Sequence, residues 1–325
     1  MAANGVFAES RIKRMPLAKP PFTLGQIKKA IPPHCFERSL LRSFSYVVYD
    51  LCISFLLFYI AATYFHRPPP SPLACVAWPI YWILQGCILT GVWVIAHECS
   101  HHAFSDYKWV DDAVGLILHS AFLVPILFLE IQPPPPPFEH RVPRPRRSVR
   151  SKDKVPSRMD DDMIASPVTM IPSAPFILIV KGFRFSFLIW AFSLQLFVLY
   201  SVAVSQGLAF LICIYGVPLL IVNGFLVTVT FLQHTHPALP HYDSSEWEWL
   251  KGALATMDRD YGILNKVFHN ITDTHVAHHL FSNMPHYHAM EATRAMKPVL
   301  GEFYQFDDTP VYKAIWREAK RMPVC

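Results

Sequence analysis

Leu73 to Ala96 is an apolar run of the roughly 20-residue length that a bilayer's hydrocarbon core requires, and His97-Glu98-Cys99-Ser100-His101-His102 follows it without a break. Any fold open to this chain must therefore set a group of imidazoles at the end of a membrane helix. A counterpart, His275-Val276-Ala277-His278-His279, stands near the other terminus. If both stretches are helical, residues three and four apart share a face, so His275, His278 and His279 converge, and His101 stacks on His97 with His102 beside it. Neutral imidazole is a ligand for iron, copper, zinc and nickel. Two such clusters could hold a metal pair where one could hold a single ion.

Sixteen histidines in 325 residues leave room for chance pairs and ordinary surface imidazoles. Two clusters of similar form, each within reach of membrane-length apolar sequence, argue against chance, because polar groups near a bilayer usually have a function. Composition agrees: 52% of the residues are hydrophobic and only 16% charged, whereas soluble domains carry about 25% charged residues. A net charge of +5, scattered outside one stretch, gives no case for nucleic acid. The seven cysteines lie mostly in or beside apolar runs and form no CxxC pair, so they read as reduced, buried thiols. The basic N-terminus lacks the apolar core of a cleaved signal peptide, and the first span is expected to act as an uncleaved anchor.

In chain order, residues 1–45 form a basic arm that the positive-inside rule keeps cytosolic. Tyr46 to Phe65 is a first span, His66 to Pro72 a helix-breaking turn on the far side, and Leu73 to Ala96 a second span that delivers His97 to the cytosol. Val114 to Leu129, interrupted by His119 and Pro125, is too short to cross and reads as re-entrant or interfacial. Phe176 to Tyr200 and Leu208 to Leu232 are two further spans, with a break at Ser201 to Gly207. The second ends at Gln233-His234-Thr235-His236. Four spans place every histidine cluster on one face, so the expected fold is an all-α polytopic membrane protein with a cytosolic, histidine-rich metal site.

Lys29 to His34, His97 to His102, the run Tyr215 to Asn223, the segment Gln233 to Trp249 and the stretch Asp258 to Tyr304 together resemble the plant microsomal oleate delta-12 (omega-6) fatty acid desaturases. The resemblance covers about residues 8–125 and 202–320, within a desaturase-like membrane domain of residues 46–320. It implies a non-haem di-iron enzyme of the endoplasmic reticulum that takes electrons from cytochrome b5, activates O2 and removes two hydrogens from an oleoyl chain esterified to a phospholipid. His97, His101, His102, His275, His278 and His279 match the family's first and third histidine boxes. His234 or His236 is a further candidate ligand. No cytochrome b5 haem motif follows His236-Pro237, so the donor is a separate protein.

One departure is as informative as the match. The family's second box, a His-Arg-Arg-His-His run preceded by serine, has no counterpart between His102 and His234; the chain has Gln132, Pro133 to Pro137, then Phe138-Glu139-His140. Ser-His-Arg-Arg-His-His written AGC CAC CGC CGC CAC CAT reads, from one base earlier, CAG CCA CCG CCG CCA CCA, which is Gln132 and five prolines. A frame shift after Pro125, with a deletion and return to frame by about Val202, explains residues 126–201. A second shift explains the tail Arg321 to Cys325. Other readings of this stretch stay open: Pro133 to Pro137 as a polyproline ligand, and the arginines from Arg141 to Arg150 as a site for anionic lipid heads or nucleic acid.

Two classes of function follow. One is an acyl-lipid desaturase, or a hydroxylase on the same site, impaired here by the missing box. The other is a non-catalytic, desaturase-like membrane protein that binds an intact partner subunit as a homo- or hetero-oligomer.

Overall fold

The computed structural model describes residues 14–65, 72–122, 182–242 and 247–320. The proline run, the arginines that follow it, the far-side turn and the tail Arg321 to Cys325 lie outside the described residues.

Three of the described helices are long and apolar enough to cross a membrane: Leu40–Phe65, Cys75–Ser100 and Leu208–His234. The first comprises α2 (Leu40–Ile60) and a π-helical turn, Ala61–Phe65. It begins at Leu40, not Tyr46, because Ser39 caps it, its Oγ accepting from Arg42 N–H and so satisfying an otherwise orphaned donor. The second is α3 (Pro72–Ser100), which runs on past Ala96. Half of its apolar window is buried, against 17% for each of the other two; of the three, α3 is the central helix, and its two partners leave most of their apolar surface exposed.

The third span comprises α6 (Leu208–Leu211), a π-helical turn at Ile212–Gly216 and α7 (Val217–His234). A π turn displaces carbonyls from the regular ladder, and here they are used: Tyr81 Oη donates to Ile214 O and Trp82 Nε1 to Cys213 O, both at 2.8 Å. With no water to satisfy such groups in lipid, these bonds lock α3 beside the third span, and because Gly86, further along α3, meets Pro218 and Ile221, further along that span, the two run in the same direction. Before this span comes α5 (Gly182–Gln206), whose part Trp190–Gln206 is a shorter apolar helix. Ser201 to Gln206 remain helical and only Gly207, at φ 91°, breaks the chain, a conformation that favours glycine. Helix α4 (Lys108–Ala121) is amphipathic and 14 residues long. It starts six residues before Val114, and Leu123 to Leu129 lie outside the described residues.

A cap of short elements covers the histidine end of the spans. Helix α1 (Leu24–Ala30), a 3-10 turn at Pro33–Phe36, α8 (Trp249–Leu254), α10 (His275–Leu280) and α11 (His286–Leu300) share a core that includes Ile27, Leu254, Val276, Leu280 and Met296. Strands β1 (Asp258–Arg259) and β2 (Phe306–Asp307) pair in parallel, with α9 (Ile263–Val267) between β1 and α10. Arg259, wholly buried, donates to Asp307, Glu318 and Leu232 O. It thereby ties α12 (Val311–Ala319) to the end of α7.

Candidate metal centre

The last turns of α3 and α7 and the whole of α10 bring imidazoles together from three distant parts of the sequence. His97 lies in α3, which ends at Ser100, and His101 follows just beyond it. His234 is the last residue of α7. His275, His278 and His279 lie on the six-residue α10. They sort into two triads: His97, His101 and His278 in one, and His234, His275 and His279 in the other, the ligand atoms of each within 4.8 Å of one another. In the first, His97 Nε2 is 3.1 Å from His278 Nε2 and 3.3 Å from His101 Nε2. In the second, His275 Nε2 is 3.2 Å from His234 Nε2 and 3.1 Å from His279 Nε2. The rings of His275 and His278, one from each triad, lie 5.8 Å apart.

A neutral imidazole carries one N–H, so three Nε2 atoms meeting at a point cannot all pair as hydrogen bonds. A cation accepts all three lone pairs. Ligand nitrogens about 2.1 Å from a shared ion stand roughly 3.0 to 3.4 Å apart at angles between octahedral and tetrahedral, and the observed separations fall in that range. Burial holds His101 and His278 below the ordinary imidazole value and pushes His279 down to about 3, leaving their lone pairs free at neutral pH.

The triads are held from behind. Trp93 stacks on His97, ring centroids 5.1 Å apart at 13°. Glu98 accepts from His286 N at 2.8 Å and from its Nδ1 at 3.2 Å, pinning the start of α11 to α3. Asp258 accepts from Val276 N at 2.8 Å and from Tyr304 Oη at 2.6 Å. Thr274 gives α10 no side-chain cap, so the carboxylate of a residue far back in sequence caps it instead. Gln233 donates to Thr272 O at 2.8 Å, fixing the end of α7 against the turn before α10.

Of the eight histidines singled out in the sequence, six enter the triads. His102 does not, because the helix has ended and its backbone turns to φ 55°; its Nδ1 lies 3.5 Å from Asp111. His236 does not either: it accepts from Ala238 N at 3.0 Å and lies 3.6 Å from Asp307. Of the two alternatives at the end of the last span, the structure brings only His234 to the cluster. Sequence reasoning missed Trp93, Glu98 and Asp258. Trp93 had a local signal, since it stands four residues before His97 and so shares its helix face; Glu98 and Asp258 had none.

A cavity of about 160 Å³ opens between α3 and α7 and ends on the triads. Its walls away from the histidines include Thr90, Trp93, Val94, Phe225, Leu226 and Val229. An apolar cavity near 150 Å³ holds a benzene-sized guest, so this one fits a short stretch of hydrocarbon.

A family model described as fatty acid desaturase matches residues 163–309, and one described as a domain of unknown function (DUF3474) matches residues 2–59. The chain is 55% identical to a delta(12)-acyl-lipid-desaturase of Punica granatum over 352 residues, covering 96% of this chain and 89% of the relative. It is 58% identical to an omega-6 fatty acid desaturase, endoplasmic reticulum isozyme 1, of Glycine max, covering 95% and 88%. It is 51% identical to a delta(12)-fatty-acid desaturase of Arabidopsis thaliana, again covering 95% and 88%. These alignments span more positions than the 325 residues of this chain, so the relatives carry residues with no counterpart here.

Proposed function

The chain belongs to the fatty acid desaturase family, and from that premise we propose that it is, by lineage, an acyl-lipid delta-12 desaturase impaired by an incomplete ligand set. The membrane is that of the endoplasmic reticulum, the substrate an oleoyl phospholipid and the electron donor cytochrome b5. The observation that carries the reading is the pair of triads, His97, His101 and His278 beside His234, His275 and His279, which fits two ions of the iron class at adjacent positions.

When bound, iron supplies the oxidising power to take two hydrogens from an unactivated pair of methylenes, O2 leaving as two waters with two electrons and two protons from outside. The chain's own residues do the rest. The walls built by Trp93, Phe225 and Val229 shield an alkyl segment from water beside the triads, Trp93 fixes the ring plane of His97, and Asp258 and Gln233 hold α10 and the end of α7 in register.

Parity supports a four-span topology. Helices α3 and α7 run in the same direction and both end at the triads, so the chain between them must recross the membrane, and α5 is the segment available. The basic N-terminal arm puts the triads on the cytosolic side.

Impairment follows from ligand number. Three imidazoles leave each ion short of ligands, and between His102 and His234 the sequence holds only the isolated His119 and His140, in line with a frame shift that begins after Pro125. Losses even one layer behind a metal cost about 10- to 100-fold. The same absence favours a second reading, a non-catalytic chain that associates with an intact desaturase.

Expression in yeast, which makes oleate but not linoleate, tests both. The chain should yield no linoleate above an empty vector, and accumulation of a delta-12 diene would overturn the impairment. A version with the shifted stretch returned to frame and the lost segment restored should make linoleate. Its failure would overturn the delta-12 assignment.

A further inference from the structure

Away from the triads, the 3-10 turn Pro33–Phe36 packs against α11 and brings four side chains of metal-ligand type to one point. They are His34, Cys35, His288 and Glu291, with ligand atoms all within 4.8 Å of one another. Local sequence dictates the arrangement. Pro32 and Pro33 fix φ and start the turn, so His34 and Cys35 sit side by side on it, while His288 and Glu291 are three apart on α11 and share a face. Ser39 N–H donates to Tyr287 Oη at 2.8 Å and Arg42 lies over the Tyr287 ring at 4.3 Å, holding the two segments together.

His34 Nε2 stands 3.0 Å from each oxygen of Glu291 and 3.8 Å from Cys35 Sγ. The His34 and His288 rings are 5.5 Å apart, edge to face. A His34–Glu291 hydrogen bond and a weak sulfur contact from Cys35 to His34 account for these approaches in pairs, but neither explains why a second imidazole, His288, brings its ligand atom to the same place. Around a tetrahedral zinc, with Zn–S about 2.3 Å and Zn–N about 2.0 to 2.1 Å, a sulfur and a nitrogen stand roughly 3.6 Å apart, close to the value seen.

We propose that His34, Cys35, His288 and Glu291 form a separate zinc-class site that clasps the N-terminal arm onto α11. One sulfur, two imidazoles and a carboxylate are all zinc ligands. The sulfur sets this site apart from the imidazole-only triads, since soft thiolate selects zinc and copper(I) over harder cations. Cys35 is wholly buried while the side chains of His34 and Glu291 are half exposed; the ion enters from solvent and meets sulfur on the protein side. The site has a structural role at the cap, because α11 is also the helix that Glu98 pins to α3.

The test is cobalt substitution in the full-length chain, purified in detergent, stripped with chelator and titrated with Co(II). Neither triad contains cysteine, so a sulfur-to-cobalt charge-transfer band in the near ultraviolet that depends on Cys35 reports this site. Wild type should show the band, and zinc should abolish it. Cys35→Ser should lack it while keeping the visible cobalt bands of the triads, and His278→Ala should retain it. Cobalt bound without the band in wild type, or a band that survives Cys35→Ser, overturns the proposal. If Cys35→Ser also loses the triad bands through misfolding, the half-exposed Glu291→Gln decides. It should weaken the cobalt affinity of the band at least tenfold, and an unchanged affinity overturns the site.

Discussion

His269 donates from Nε2 to Asp50 Oδ2 at 2.7 Å, joining the first membrane helix to the turn before α10 across 219 positions of sequence, with both side chains buried. Gly91 makes the approach possible: a Cβ there would lie 2.5 Å from Val267 O and 3.1 Å from Asp50 Oδ2.

Breaking this pair should be costly, because an abandoned partner stays buried. Asp50→Ala is expected to destabilise the protein by about 3 kcal/mol or more, read as a lower unfolding midpoint in detergent. Asp50→Asn keeps an acceptor and should cost less than half as much. Gly91→Val should match or exceed the alanine variant by forcing α3 away from Val267. A Gly91→Val midpoint equal to wild type would show that the two segments are not packed this way.

Asp258 predicts a pH dependence. Burial pushes its carboxyl up to about 7, against the hydrogen bonds from Tyr304 and Val276 N–H that favour the anion. In the unfolded chain an aspartate titrates near 3.9, so between those values the folded state holds the extra proton. This contribution to stability is full below about pH 4 and is lost as pH rises through about 7, a change on the order of a few kcal/mol. Unfolding midpoints measured across that window should fall with rising pH in wild type and less in Asp258→Asn. Equal slopes would remove Asp258 from the cause.

Metal content distinguishes the triads from their neighbours. The purified chain should carry well below two irons, because three imidazoles per ion are too few. His278→Ala and His275→Ala should each lower it further, while His102→Ala should not change it, since His102 faces Asp111. A stoichiometric, exchange-coupled iron pair in Mössbauer spectra would refute the incomplete site.

Topology can be tested without activity. Asn270-Ile271-Thr272 is a glycosylation sequon five residues before His275, and its Asn270 Nδ2 donates to Asp273 at 3.1 Å. Glycosylation occurs in the lumen, so a cytosolic metal centre requires Asn270 to be unmodified in microsomes. A glycosidase-sensitive gel shift, abolished by Asn270→Gln, would mean that α5 fails to cross and that α7 carries Asn270 and His275 into the lumen.

The sequence by itself determined the spans of α2, α3 and α7, because unbroken apolar length is written locally, and it picked out the two histidine stretches because imidazole spacing on a helix is periodic. It placed the first helix start six residues late, since the cap at Ser39 is one side-chain bond rather than a hydrophobic signal. Only the tertiary structure sorted the imidazoles. His278 turns to His97 while its neighbours His275 and His279 turn to His234, and His102 drops out because its backbone has turned to φ 55°. The contacts that hold the site, Asp258 with α10 and Asp50 with His269 in the turn before it, join residues far apart in sequence. Such pairings depend on which helix ends meet in space, and no local pattern encodes that.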